Sequence, residues 1–537
     1  MQLKIRKSVI TFVLSAIFIL PLSAGIFPDN PGLVTRIKAL GKSYPSLCNV
    51  TTVCTTAGGI EIFALTIGSG EKDDKPGIAV IGGIDGRYIH SREMAIVFAE
   101  EILRRSGEPE ITALLDDVTF YVLPDVSPEA SAQYFSKLKY ERNINSAGTD
   151  DDRDFTSGED PAEDLNGDGM ITLVRIEDPA GTWLPSSADN RIMVTADPVK
   201  GEKGRYIVIS EGTDNDGDGL FNEDGEGGVA FNSNFSHNYE EFGLNAGAHA
   251  LSETETRAVA DFLFDHFNIY MTVALGPQDN LSQPMKAAAR PPQRGKKPDG
   301  LLKSDEIVNK LASDIWKEKT GTKGSPSAAF TPGNFTEWAY YDYGRYSFST
   351  PGWWVQADKG ENTGVALLKN RPEADDLFIP WTRVSGDRFE GRQAEVGGIR
   401  PFAAIVPPDS LMAKIKSDNF GFISSLASFH PDIELMGLKV EKSDENIWRV
   451  TVRVYNKGLF PTCTEIGDRN KFVRRAQITF EPAKGQALIS GQLRQALPRL
   501  EGNQAIEYSW LITGKGKISI KAGAVNCGFS SLGAELK

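Results

Sequence analysis

Three short, nearly unbroken apolar runs constrain this chain most. Ile78-Ala-Val-Ile-Gly-Gly-Ile84, Val118-Thr-Phe-Tyr-Val-Leu123 and Ile269-Tyr-Met-Thr-Val-Ala-Leu275 are too short for stable helices and lack the polar alternation of a half-exposed strand. Runs of this kind suit strands buried on both faces. Residues 91–103 and 252–266, each adjoining one of these runs, carry apolar side chains at helical spacing. Strands alternating with helices over this distance predict an α/β sheet covered on both sides.

A different period takes over beyond about residue 407. Trp448-Arg-Val-Thr-Val-Arg-Val-Tyr455, Ala476-Gln-Ile-Thr-Phe480 and Lys517-Ile-Ser-Ile-Lys521 alternate strictly between turn signals. Strict alternation fits strands buried on one face only, so 407–537 is predicted to be an all-β sandwich following an α/β domain at 25–406. The 537 residues are enough for more than one core. With 58 Lys+Arg against 72 Asp+Glu the net charge is -14. That balance lacks the cationic footprint of nucleic-acid binding, and no nucleic-acid partner is expected.

Residues 1–24 read as a signal peptide: a basic start, an apolar stretch from Ser8 to Leu22, and Leu22-Ser23-Ala24 as a small-residue cleavage site. No later segment is apolar for the length of a bilayer span, so an exported protein, periplasmic or extracellular, with no membrane span after cleavage is expected. The four cysteines fit an oxidising compartment, with Cys48–Cys54 and Cys463–Cys527 the simplest of three pairings.

Residues 150–224 form an insertion rich in Asp, Gly and Asn. Asp164, Asn166 and Asp168 alternate before Gly169, and Asp214, Asp216 and Asp218 before Gly219. Oxygen side chains at alternate positions closed by glycine are what a calcium loop needs, although its bidentate Glu is replaced by Arg175 in the first loop and Gly225 in the second. Structural calcium and a plain Asp/Gly turn cluster are the two readings of these residues.

The strongest local signal for chemistry is His90-Ser-Arg-Glu93, placed between a buried strand and a helix. An imidazole and a carboxylate there can share a metal at the carboxyl edge of the sheet. With Asn232-Ser-Asn-Phe235, Leu251-Ser-Glu-Thr-Glu-Thr-Arg257 and Tyr346-Ser-Phe-Ser-Thr-Pro351 following in order, the chain resembles the zinc carboxypeptidases of carboxypeptidase A type, and within them a secreted bacterial subgroup with Asp-rich loops. The resemblance implies a mixed sheet flanked by helices, zinc held by H-x-x-E and a later His, a general base on the last strand, and recognition of peptide C-termini.

The departures fall on the chemical positions. The third ligand should follow Leu275, where the chain reads Gly276-Pro-Gln-Asp279, and the general-base position is Pro351. The pair that would grip a substrate carboxylate reads Asn232-Ser233, without the bidentate guanidinium. An ungapped alignment would put Asp85 and Tyr88 where His90 and Glu93 are otherwise placed. His237, His249, His266 and His430 offer no obvious replacement ligand. Trp353 and Trp354, beside Pro351, could be core or could stack a ligand. The expectation is a catalytically degenerate member of the family that binds a peptide or peptidoglycan-like ligand through Asn232, Trp353 and Trp354. The alternative is an active metallocarboxypeptidase with a non-standard zinc site around His90, Glu93 and Gln278 or Asp279.

Overall fold

The computed structural model describes residues 27–149, 160–215, 221–222, 226–290, 296–326, 330–371 and 373–537. The signal-peptide stretch and Asp216 and Asp218 lie outside them.

Numbered along the chain, the first sheet contains β1 (Cys48–Thr55), β2 (Glu61–Ile67), β3 (Gly77–Ile81), β4 (Thr119–Leu123), β9 (Ile269–Leu275) and β10 (Tyr346–Thr350), in the order β1-β2-β4-β3-β9-β10. β4, β3, β9 and β10 run parallel, and β1 and β2 close one side antiparallel. This is the mixed sheet that the apolar runs and the resemblance predict. Alternate side chains of each strand feed opposite cores, as the two-residue period of a strand requires. Ile78 and Val80 of β3 join the larger core, whereas Ala79 and Ile81 join the smaller one.

Helices α1 (Asn30–Ser43), α2 (Ile89–Arg104), α3 (Pro109–Asp117), α6 (Lys303–Thr320) and α9 (Asp409–Ala427) cover the larger core. α5 (Thr254–Asp265) and α7 (Phe335–Tyr341) cover the other face. The short α4 (Pro128–Ala132) follows β4. One boundary moves relative to the sequence reading. α9 buries Met412, Phe422, Ile423 and Leu426 in the larger core and packs on α2 and α6, so the β-domain begins with β13 (Ile433–Asp444), after this helix rather than at 407.

The Asp-rich insertion is also more than a set of loops. Its strands β5 (Leu173–Glu177), β6 (Trp183–Pro185), β7 (Met193–Thr195) and β8 (Tyr206–Ser210) join β11 (Phe378–Val384) and β12 (Ala394–Ile399), in the order β11-β12-β5-β8-β6-β7. Val174, Ile176, Phe389 and Val396 give this second sheet its own small core, and α8 (Thr363–Asn370) leads into it.

The C-terminal domain is the predicted sandwich of two antiparallel sheets. One is β13, β14 (Ile447–Asn456), β18 (Ala505–Thr513) and β16 (Ala487–Ser490); the other is β17 (Arg494–Ala496), β15 (Gln477–Pro482), β19 (Gly516–Ala524) and β20 (Gly528–Leu536). Val450, Val452 and Val454 face Ile478, Phe480 and Ile520 in one core. α10 (Glu465–Asn470) ties this domain to the first, since the buried Asp305 carboxylate of α6 accepts the Glu465 and Ile466 amides.

Both cysteines of the first expected pair lie on β1. Six residues of extended strand separate them by about 20 Å, whereas a disulfide spans about 4.4–6.8 Å between Cα atoms. That pairing is excluded by strand geometry. Cys463 and Cys527 are buried free thiols on neighbouring segments, where Asn526 Nδ2 donates to Thr462 O at 2.8 Å. Among the described residues no helix is long and apolar enough to cross a membrane.

Candidate functional site

The parallel strands β3, β4, β9 and β10 end along one edge of the sheet, which is where an open α/β sheet forms its crevice. Five stretches reach this edge: the 82–90 loop after β3, the turn at 231–233, the 276–282 loop after β9, the start of α7, and the 350–354 segment after β10.

After β3 the chain turns through Gly83 at φ 65°, so close to the next strand that a Cβ there would lie 2.3 Å from Asp125 Oδ1. Two residues on, the Asp85 carboxylate is taken by its own loop. Arg87 donates to it through the backbone amide and Nε at 3.0 Å, and through Nη2 at 2.6 Å. Burial, helped by the Asp85 charge, pushes the Tyr88 phenol up to about 12. Neither side chain at the ungapped ligand positions is a free metal ligand at neutral pH.

His90 opens α2 and is completely buried. Its Nε2 lies 2.7 Å from Pro351 O. A carbonyl only accepts, so Nε2 carries the proton and Nδ1 is left with a bare lone pair; Nδ1 is buried without a partner. Burial pushes the imidazole down to about 4, and the ring is neutral near pH 7. The His90 and Pro351 positions do meet, as the resemblance implies, but through a hydrogen bond that closes the strand–helix junction.

Glu93 is turned elsewhere. Its carboxylate accepts Arg36 Nη1 of α1 at 2.6 Å and Lys416 Nζ of α9 at 2.8 Å, and it is almost fully buried between those helices. His90 and Glu93 therefore do not converge on one ion. The third position is closed as well, because a Cβ on Gly276 would come within 2.2 Å of Ile84 Cγ1. Among the described residues no group of three or more His, Cys, Asp or Glu side chains is arranged to hold a metal. The donors at this edge do not fit the zinc that the family implies.

The rest of the edge is a closed hydrogen-bond net. Asn232 Nδ2 donates to Gln278 Oε1 at 2.7 Å, and its Oδ1 accepts the Phe335 amide at 3.0 Å, so it latches two loops together. Asn280 stitches the β9 loop to β10 by donating to Ser347 O at 2.8 Å and accepting the Ser349 amide at 2.9 Å. Asp279 is bonded to Ser282, and burial raises its carboxyl above the ordinary range. Trp353 packs on the larger core and Trp354 is buried, so the expected aromatic wall is packing rather than an open platform. Nothing in the sequence marks a single Asn after a strand, such as Asn280, as a bridge.

The first Asp-rich loop closes on itself. Asp164 accepts the Gly167 and Gly169 amides at 2.7 and 2.8 Å, Asp168 accepts the Met170 amide at 2.9 Å, and Asn166 donates to Asp168 at 3.1 Å. Arg175, at the position of the missing Glu, pairs with Glu395. This is an Asx-closed turn that, among the described residues, offers fewer oxygen side chains than a calcium cage needs. In the second loop Asp214 is described, and its two partners are not.

Residues 33–168 match the family described as zinc carboxypeptidase, and residues 432–534 match a domain family of unknown function. A stretch of 152 residues is 30% identical to carboxypeptidase B of Homo sapiens, covering 23% of this chain and 36% of that protein. The chain thus spans about a third of the length of the curated relative it matches. Among solved structures, thrombin activatable fibrinolysis inhibitor aligns with a TM-score of 0.43 at 15% identity, over 75% of this chain and 74% of that one. A metallo-carboxypeptidase from Burkholderia cenocepacia aligns with a TM-score of 0.37 at 10% identity, over 73% of this chain and 67% of that one.

Proposed function

We propose that this zinc-carboxypeptidase-like chain does not hydrolyse peptides and serves instead as an exported accessory protein that binds the ends of peptides or peptidoglycan-like chains. One observation carries the proposal: His90 is bonded to Pro351 O while Glu93 is bonded to Arg36 and Lys416, so the H-x-x-E that lies between the buried strand and the helix builds a helix junction rather than a metal centre. Zinc hydrolysis needs three protein ligands, an open position for water and a carboxylate base. Pro351 supplies no base, and Gly276 has no room for a ligand side chain. Export is supported by the basic and apolar start of the sequence.

Incubating the purified protein with peptides ending in aliphatic, aromatic or basic residues, in the presence of zinc, tests this directly. Mass spectrometry should show every peptide intact. Release of the C-terminal residue at a rate above a protein-free control contradicts the proposal and restores the active-enzyme alternative.

A further inference from the structure

Outside the closed sheet edge the molecule has an open groove of about 610 Å³ between the segment after α4, the start of the second sheet and the 400–410 loop. A volume of this order suits a small ligand. Three cations line it, Lys139, Arg371 and Arg400, against two carboxylates, Glu373 and Asp409. The cations are incompletely matched. Arg371 pairs with Glu373 through Nε at 2.7 Å and Nη2 at 2.5 Å, while its Nη1 is buried with no partner among the described residues. Among the described residues Lys139 Nζ donates to Tyr134 O at 2.6 Å and lies 5.8 Å from the centre of the Tyr134 ring, with no carboxylate partner, and burial lowers its pKa.

The apolar side of the groove is rigid. Tyr134 and Phe402 pack edge to face with ring centres 5.1 Å apart. Phe402 is held at φ 67°, a left-handed conformation costly for a bulky residue, by donating its amide to Glu141 Oε1 at 2.9 Å. Backbone held in such a region is characteristic of ligand clamps.

We propose that this groove binds an organic carboxylate with an apolar ring-bearing body, its acid group taken by Lys139 and Arg371 and its body laid against Tyr134. An unpartnered guanidinium N–H is costly to bury unless an anion completes it, and the half-buried Tyr134 ring, backed by the buried Phe402, gives the body a surface to cover. That the acid is the C-terminus of a peptide rests on the proposed function; the anion chemistry of the groove does not.

Titration calorimetry with N-acetyl-Ala-Pro-Phe, its C-terminal amide and 3-phenylpropionate separates the two claims. The free acid should bind, with the amide at least about tenfold weaker, as loss of a charge-assisted contact implies. Arg371→Gln and Lys139→Gln should each weaken the acid by at least about tenfold, with unchanged unfolding midpoints as the control for folding. Binding of 3-phenylpropionate without the peptide upholds the groove and overturns the peptide role. Peptide binding unaltered by either substitution overturns the groove and leaves the role standing, and no binding of any probe overturns the groove.

Discussion

His90 Nε2 donates to Pro351 O across 2.7 Å, joining the first turn of α2 to the end of β10 inside a fully buried junction. Two residues that the family resemblance assigns to metal binding and base catalysis are here a donor and an acceptor in the scaffold.

This relationship makes stability depend on pH. The folded His90 titrates near 4, below its ordinary 6.5, so between those values the unfolded chain binds the extra proton. Stability should be complete above about pH 6.5 and fall as pH drops toward 4, by up to about 3 kcal/mol from this residue. His90→Gln keeps a neutral donor, and its urea midpoint should lose less between pH 7 and pH 4.5 than that of the wild type. Parallel losses in the two proteins would show that His90 is not the titrating group.

Glu93 should matter to stability and not to metal content. Glu93→Gln removes the charge facing Arg36 and Lys416, both themselves about a quarter exposed, so a loss of roughly 1–3 kcal/mol is expected, below the full cost of breaking a wholly buried pair. Calorimetric unfolding checks the loss. Zinc measured before and after the substitution should be equally low.

Gly276 is predicted to be intolerant of any side chain. Gly276→Ala should cost about 1–3 kcal/mol by overpacking against Ile84, and Ile84→Ala in the same molecule should recover part of that loss. Strictly additive losses in this double-mutant cycle would contradict the contact.

The thiols of Cys48 and Cys54 should both be alkylated in unreduced, denatured protein, since β1 holds them apart. A peptide bridged between these two residues, found by mass spectrometry, would contradict the strand assignment.

Much of the fold was legible because burial leaves a periodic trace. The run from Ile269 to Leu275 is a strand with those same ends, and Trp448 to Tyr455 falls inside β14. The insertion misled because the Asp and Gly residues between its strands dominate the composition, while β6 and β7 are only three residues each. The boundary near 407 misled because α9 reads as an amphipathic helix whichever domain it covers, and only its contacts with α2 and α6 assign it. At the site, the absence of a base at Pro351 was plain from residue type. The direction of Glu93 was not, since one turn of α2 decides whether that carboxylate faces the sheet edge or Arg36. Asp85 as the partner of Arg87 could have been anticipated from the ungapped alignment and their two-residue spacing.

The central claim is that no zinc centre assembles at the carboxyl edge of the sheet, and zinc stoichiometry of the full-length protein tests it most directly. After equilibration with excess zinc and removal of loosely bound ion by gel filtration, elemental analysis should give far less than one zinc per chain, unchanged in His90→Gln. One tightly held zinc per chain in the wild type, lost in that variant, would contradict the account.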